Sequence, residues 1–582
     1  MLHRTNAPVY LRFKSLGAAG VIRLVLLVFL ALLVVAPLLR LLVTTLRPEG
    51  LEAWSDVLTG RLAPNLLWEP LRNTVAVGAL VALFTITVGG FLAWLVVMTD
   101  MPGRRLIGAL ASIPYIIPSF AIALAWQTLF QNDRLGGRVG LLQELGFAVP
   151  DWLAWGFLPV TLVLSVHYFS LGFMLISAAL ASINSELLEA ATISGASKAR
   201  VLRDITFRVV TPAVTSSILL SFGNGVSNFA APAILGLPVR FEVLSTRIFG
   251  MIRIGQTERG FVLTLILIFI AALLLWLNTR LVGGRRSFAT LTGKAGRRKR
   301  QALGAAKWPL FFVAGSICFV TTVLPILALV GSSLTRRTGS FAGGLTLHYW
   351  IGRSNPAIAQ GQEGVLRNPH VASAALNTIM LGLSVALAAS LVGLLIGYVA
   401  REKRGAVNRV IESFSYIPFF IPGIAFGAAY IALFGRPVGP LPSLYGTFTL
   451  LIIAAATYNL PFAAQAGRAT MSQIAAELEE AATVVGAGLL RRLVGIVLPL
   501  AARGLFAGAI LVFVKIVRDL SLVVLLVTPV TSVLSVVAFQ YSSEGFAQFA
   551  NAITVMIATL SVVVTLWTRR LQGATQPWAE SS

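Results

Sequence analysis

The sequence predicts an all-α polytopic membrane protein of about twelve transmembrane helices, built as two parallel six-helix repeats. Three observations predict it. The chain is 57% hydrophobic and only 12% charged, with a mean hydropathy of +0.85, whereas soluble domains carry about 25% charged residues. Its apolar residues gather into stretches long enough to cross a bilayer, and segments of the first half recur in the second at a nearly constant offset.

A hydrocarbon core of about 30 Å takes about 20 apolar residues as helix. Stretches that meet or approach this run over 20–43, 72–99, 106–130, 155–182, 212–236 and 261–283 in the first half. Those of the second half are 308–331, 376–400, 409–434, 445–467, 503–529 and 548–568. They are too long and uninterrupted for barrel strands, which alternate over about ten residues. The first follows Arg12, Lys14 and Arg23 but is too long for a secretory signal and lacks a small-residue cleavage site, so it reads as a retained helix. Cys318 is the only cysteine, which excludes an internal disulfide and a cysteine-based metal site.

The formal charge of +24 resembles a nucleic-acid signature until it is distributed over the loops that twelve spans create. With both termini in the cytoplasm, the basic excess falls on the inner segments. That is the positive-inside pattern, and anionic lipid headgroups account for it without nucleic acid.

The duplication is visible in detail. Asn73-Thr74 recurs as Asn377-Thr378, and Ile113-Pro114-Tyr115-Ile116-Ile117-Pro118 as Ile417-Pro418-Phe419-Phe420-Ile421-Pro422, both 304 positions on. Further along the offset is 291, because the loop around 131–154 is longer than its counterpart around 435–444. Six spans per half make the repeats parallel, related by an axis along the membrane normal. The halves are therefore 1–283 and 308–582, joined by a basic cytoplasmic linker over 284–307, whose Gly, Ala, Lys and Arg cannot form a core.

One inner loop of each half carries the same pattern, Glu189-Ala190-Ala191-Thr192-Ile193-Ser194-Gly195-Ala196 and Glu480-Ala481-Ala482-Thr483-Val484-Val485-Gly486-Ala487. In each a short helix is broken by glycine, which permits a sharp turn, and a second helical run follows, to Pro212 and Pro499. Leu202 and Leu493, then Ile205 and Ile496, stand at matching distances beyond the glutamate. Ordinary turning loops would not repeat four spaced positions twice. The motif resembles the Glu-Ala-Ala loop of type I permease subunits of binding-protein-dependent ATP-binding-cassette importers, the MetI-like fold. Arg208 stands where the first copy lacks the family's earlier proline, and Arg503 where the second lacks the later one.

The resemblance implies that 184–211 and 472–503 are coupling loops, with Glu189, Ala190, Ala191, Gly195 and Ala196, and Glu480, Ala481, Ala482, Gly486 and Ala487, meeting two copies of a cytoplasmic ATPase. It also implies a periplasmic solute-binding protein as partner, the bacterial inner membrane as location, and no cofactor on this chain, ATP being bound by the partner subunits. In keeping with this, the chain has no Gly-x4-Gly-Lys-Ser/Thr phosphate loop and no nucleophile–base set, and its 4 histidines are scattered. It is not an enzyme.

Polar groups within spans mark a candidate path. Lys515, Arg518 and Asp519 stand in the eleventh stretch, Lys515 and Asp519 four apart on one helix face. Their first-half equivalents by the 291 offset are Asn224 and Asn228, which predicts a polar seam between the halves. A self-neutralising ion pair is the competing reading. His167 and Tyr458 are likewise equivalent; a buried histidine with a satisfied partner is the plainer reading of the first. The prolines of the third and ninth stretches predict kinks.

The runs Val512 to Ser521 and Ala231 to Pro238, with Leu244-Ser245-Thr246, resemble the fused two-half ferric-iron branch, which implies Fe(III) as cargo. Phosphonate such as 2-aminoethylphosphonate, sugar phosphate, thiamine or polyamine are alternatives within the class. A secondary transporter of two six-helix halves is the alternative outside it.

Overall fold

The computed structural model describes residues 18–135, 139–183, 191, 193–283, 300–401, 405–437 and 442–572. Every apolar stretch becomes helix. The first half holds α1 (Gly20–Thr45) and α2 (Pro64–Met98), α3 (Arg104–Ser112), α4 (Ser119–Phe130) and α5 (Phe157–Ala181). It continues with α6 (Phe207–Ser227), α7 (Ala230–Leu235), α8 (Leu244–Arg253) and α9 (Thr257–Gly283).

The second half repeats the series with α10 (Gly304–Ser333) and α11 (Pro369–Arg401), α12 (Ala406–Phe420), α13 (Gly423–Phe434) and α14 (Phe448–Met471). After these come α15 (Glu477–Val484), α16 (Leu498–Val517), α17 (Leu534–Ser543) and α18 (Ala547–Gln572). Between α10 and α11 a small hairpin pairs β1 (Thr335–Arg337) with β2 (Ser340–Leu345) antiparallel.

Ten of these helices, each taken with its adjoining turns, are long and apolar enough to span a bilayer singly, and the bent pair α12–α13 makes an eleventh. The third stretch is split into α3 and α4, each too short alone. Both departures from twelve simple spans have one cause. Proline has no N–H to donate, and it pushes the residue before it out of the helical region. Pro118 (φ −56°, ψ 143°) and Pro422 (φ −53°, ψ 139°) adopt the same extended conformation, and α12 and α13 meet at 112°. At Pro118 and Pro422 the expected kinks are therefore full breaks, whereas Pro418 stays inside α12. Two other stretches end early: α6 stops at Ser227 and α16 at Val517, each followed by a turn and a short helix.

The helical runs after Gly195 and Gly486 do not stop at Pro212 and Pro499. A π-helical turn opens at Leu202–Thr206 and again at Leu493–Val497, and helix continues through both prolines. Arg208 occupies the first-half position matching Pro499, so the widened turn is not a proline effect.

The first helix of each half packs on the other half. α1 lies against α11, α12 and α13, where Leu26, Leu30 and Val34 share a core with Leu394, Ile411 and Leu460. The Tyr430 hydroxyl donates to the Leu33 carbonyl at 2.8 Å. α10 lies against α3 and α4, with Ala314 and Cys318 among Leu92, Ile107 and Phe169, and Thr322 donating to the Leu110 carbonyl at 3.1 Å.

Of the linker, 284–299 lies outside the described residues. Its last residues are tied to the inner end of α2 rather than free: the Gln301 N–H donates to the Met98 carbonyl at 2.9 Å, and the Leu303 N–H to the Asp100 carboxylate at 3.0 Å. That bond, helped by Lys307 at 3.6 Å, holds the Asp100 carboxyl below its ordinary range.

Small residues let the spans approach closely, as expected where lipid gives helices no hydrophobic reason to associate. In α11 and α14 Gly393 faces Ala463, and Gly397 faces Gly467; in α2 and α5 Gly89 faces Phe169 and Gly172. A Cβ at Gly393 would overlap the Ala463 carbonyl. Gly393→Val should destabilise the fold by about 1–3 kcal/mol. Cys318, the only cysteine and a buried one, provides the readout: a thiol-reactive dye should label it several degrees lower on heating. An unchanged labelling curve would contradict the tight crossing.

Candidate functional site

Helix breaks build the site. α6 and α16 end at equivalent depth, and each following segment is capped by the equivalent side chain: Asn228 Oδ1 accepts from the Ala231 N–H at 3.2 Å, and Asp519 Oδ1 from the Leu522 N–H at 3.0 Å. The matching serines also repeat, with Ser245 donating to the Asn228 carbonyl and Ser535 to the Asp519 carbonyl, both at 2.8 Å. Thr74 and Thr378 accept from the Leu244 and Leu534 N–H groups at 2.8 and 2.9 Å. The duplication therefore preserves the hydrogen bonds that hold these re-entrant segments.

Between the halves these breaks enclose a cavity of about 140 Å³. The first half contributes Tyr115, Ser119, His167, Tyr168 and Asn224, and the second Lys515, Arg518, Asp519 and Ser521. Arg518 crosses the seam, donating from Nη1 to the carbonyls of Tyr115 at 2.6 Å and Ile116 at 2.8 Å. Those carbonyls lie in the break between α3 and α4, where proline has left them without helical donors. Asn228 braces the same region, donating to Ser119 Oγ at 3.0 Å and Tyr168 Oη at 3.1 Å.

Lys515 and Asp519 do not share a helix face. The helix ends at Val517, so the i, i+4 geometry is lost. The Lys515 ammonium instead lies over the rings of Phe462 at 3.7 Å and Tyr458 at 4.9 Å. No ion pair is formed between them among the described residues. Asn224 lines the cavity while its amide donates to the Leu220 carbonyl at 2.8 Å. His167 donates from Nδ1 to the Pro114 carbonyl at 3.0 Å and is a buried, partnered histidine that supports the break. Tyr458 stands behind Lys515 rather than among the lining residues.

Lys515 and Arg518 against Asp519 give the lining of the cavity a formal charge of one positive. At an effective dielectric of about 20, each unit charge acts on another about 5 Å away with about 3 kcal/mol, enough to sort solutes by sign. Among the described residues no group of three or more His, Cys, Asp or Glu side chains is placed to hold a metal ion.

The duplicated Glu-Ala-Ala loops are the second site. Glu189 and Ala190 lie outside the described residues. Gly195 and Gly486 have φ of +82° and +81°, and the Ala196 and Ala487 N–H groups donate back to Ala191 and Ala482 at 3.0 and 2.9 Å. This is the helix-ending turn that favours glycine. The turns present equivalent apolar tips, Ile193 and Val484, each 87% exposed. Ala481 and Glu480 are exposed, and Ala487 is half-buried.

The anchor of the second loop is a residue the motif passes over. Glu479 is 4% exposed, and its carboxylate accepts from Arg401 Nη2 at 2.6 Å, tying α15 to the inner end of α11. Its first-half equivalent is Leu188, so a pattern sought in both copies could not reveal it. Tyr115 and Ser119 were hidden for another reason: only the break between α3 and α4 turns them into the cavity.

The family described as binding-protein-dependent transport system inner membrane component matches residues 85–287 and, again, 389–577. The chain is similar to the ferric transport system permease protein FbpB of Actinobacillus pleuropneumoniae, 27% identical over 478 residues, covering 81% of this chain and 66% of that protein. It is similar to the putative ferric transport system permease protein FbpB 1 of Haemophilus influenzae, 27% identical over 435 residues, covering 73% of this chain and 65% of that protein. The Fe(3+)-transport system permease protein FbpB 2 of Haemophilus influenzae is 23% identical over 492 residues, with 83% and 86% covered. The chain thus spans just under two thirds of the length of the first two relatives.

Glu479 and Glu480 separate the structural anchor from the exposed motif. Glu479→Gln should loosen α15, raising amide hydrogen exchange over 477–487 by about ten- to a hundredfold, as loss of a charge-assisted hydrogen bond worth about 1.5–3 kcal/mol requires. Glu480→Gln should leave that exchange unchanged. Equal effects would remove the anchor assignment.

Proposed function

Because the chain belongs to the family of binding-protein-dependent transport system inner membrane components, two copies of which fill most of its length, we propose that it is a two-half permease of an ATP-driven importer. It is a multi-pass inner-membrane transport subunit, not an enzyme. In this reading a periplasmic binding protein delivers a small solute at the outer face, and the solute passes between 1–283 and 308–582 through the cavity at Arg518. Two copies of a cytoplasmic ATPase seat on the coupling loops 184–211 and 472–503, with both termini and the linker on the same side. ATP is bound by those partners.

The observation that carries the reading is the pair of equivalent, outward-pointing loops, with Gly195 and Gly486 in one conformation and Ile193 and Val484 at their tips. Two matching contacts suit two copies of one motor. Closure of the motors would then bias the seam between the halves, which is bridged by the hydrogen bonds of Arg518.

Fe(III) is the first cargo, on the strength of the ferric relatives. Phosphonate and phosphate esters are the second, favoured by Lys515 and Arg518 at the cavity wall.

Co-purification tests the motor contacts. A Cβ at Gly195 or Gly486 meets no neighbouring atom, but φ there is unfavourable for any other residue. Gly195→Asp and Gly486→Asp should each cost about 1 kcal/mol of turn stability and partly release the ATPase. The double change should release it fully. No retention by wild type in mild detergent, with uptake collapsing when the proton gradient is removed, would instead indicate a secondary transporter.

A further inference from the structure

The charge of the cavity bears on the form in which its cargo crosses. The first half places amides, Asn224 and Asn228, where the second places Lys515 and Asp519, so every formal charge at the seam comes from one side. Arg518 is bound by two neutral carbonyls, which orient the guanidinium without cancelling its charge. The Lys515 ammonium rests on ring faces, 3.7 Å from the centre of Phe462, rather than on an acceptor oxygen. One oxygen of Asp519, the single carboxylate, already accepts from the Leu522 N–H. A bare multivalent cation would meet two positive groups for each carboxylate. An oxyanion would meet two cations and the hydroxyls of Tyr115, Ser119 and Ser521.

From this arrangement we infer that the cargo passes the seam as a metal–oxyanion complex, its phosphate or carboxylate received by Lys515 and Arg518. Asp519 is left for the cationic end. The inference rests on the ferric reading proposed above and deepens it. Lys515 is suited to receiving the anion because, among the described residues, its ammonium rests on ring faces and gives up no hydrogen bond when an oxygen arrives.

The test uses the full chain with its ATPase and its binding protein in proteoliposomes, supplied with iron-55 as Fe(III) in the presence of phosphorus-32 phosphate or carbon-14 citrate. With ATP, one labelled anion should enter alongside the iron in near-stoichiometric amount, and the two arms distinguish a phosphate from a carboxylate. Lys515→Met should lower the initial rate of both labels together by about tenfold, and Lys515→Arg, which keeps the charge, should recover most of it. ATPase co-purification with each variant shows that it is folded.

Iron entering with neither anion overturns the inference and leaves the ferric reading intact, as does a Lys515→Met transporter as fast as wild type. Labelled anion entering without iron overturns the ferric reading, and with it the metal–oxyanion complex. Entry of neither label overturns both.

Discussion

In a bilayer every backbone carbonyl that a helix releases must find a donor, and the centre of this protein is arranged around that demand. Proline at 114 and 118 opens the third stretch and frees the carbonyls of Tyr115 and Ile116 in the first half. The donor is Arg518 of the second half, at 2.6 and 2.8 Å. A buried guanidinium alone would be costly, and so would two unpaired carbonyls. Together they satisfy each other across the seam. Because the bonds join the halves, any movement that parts them must first replace these contacts, so the site is both a polar link between the repeats and a place where separation is felt.

The same logic explains why the halves are alike in architecture but not in charge. Hydrogen bonds that hold backbone, such as those of Asn228 and Asp519 at the starts of the re-entrant segments, recur in both copies. Either side chain can cap through its Oδ1, so duplication could diverge from carboxylate to amide at that position without losing the fold. Charge was therefore free to collect on one side. The packing of α1 and α10 on the opposite halves adds a second link, largely apolar and pinned by the hydrogen bonds of Tyr430 and Thr322. It keeps the repeats together while the polar seam remains the part able to rearrange.

Much of this was legible in the residues. The apolar stretches became helices, the repeat offsets matched equivalent elements down to Thr74 and Thr378, and glycine marked the turns at 195 and 486. Those features depend on local chemistry: hydrophobic length, missing donors, and a backbone conformation that favours glycine. Other readings failed where the chain had to be seen folded. The spacing of Lys515 and Asp519 suggested a shared helix face, but the helix ends between them. Pro212 and Pro499 looked like stops, yet a π-helical turn lies before each and helix continues through them. Glu480 carried the motif, while its neighbour Glu479 carries the buried bond to Arg401.

The sequence by itself determined the solvent, the helical class, the duplication and the position of the two inner loops, because each follows from composition or from periodicity along the chain. Only the tertiary structure decided that the first helix of each half also packs on the other, that Arg518 closes the break at Tyr115 and Ile116, and that the charged side chains gather in one cavity. These depend on groups about 200 to 400 residues apart coming within hydrogen-bond or packing distance. No local pattern encodes such meetings, which arise when helices already formed bury their remaining polar groups against one another.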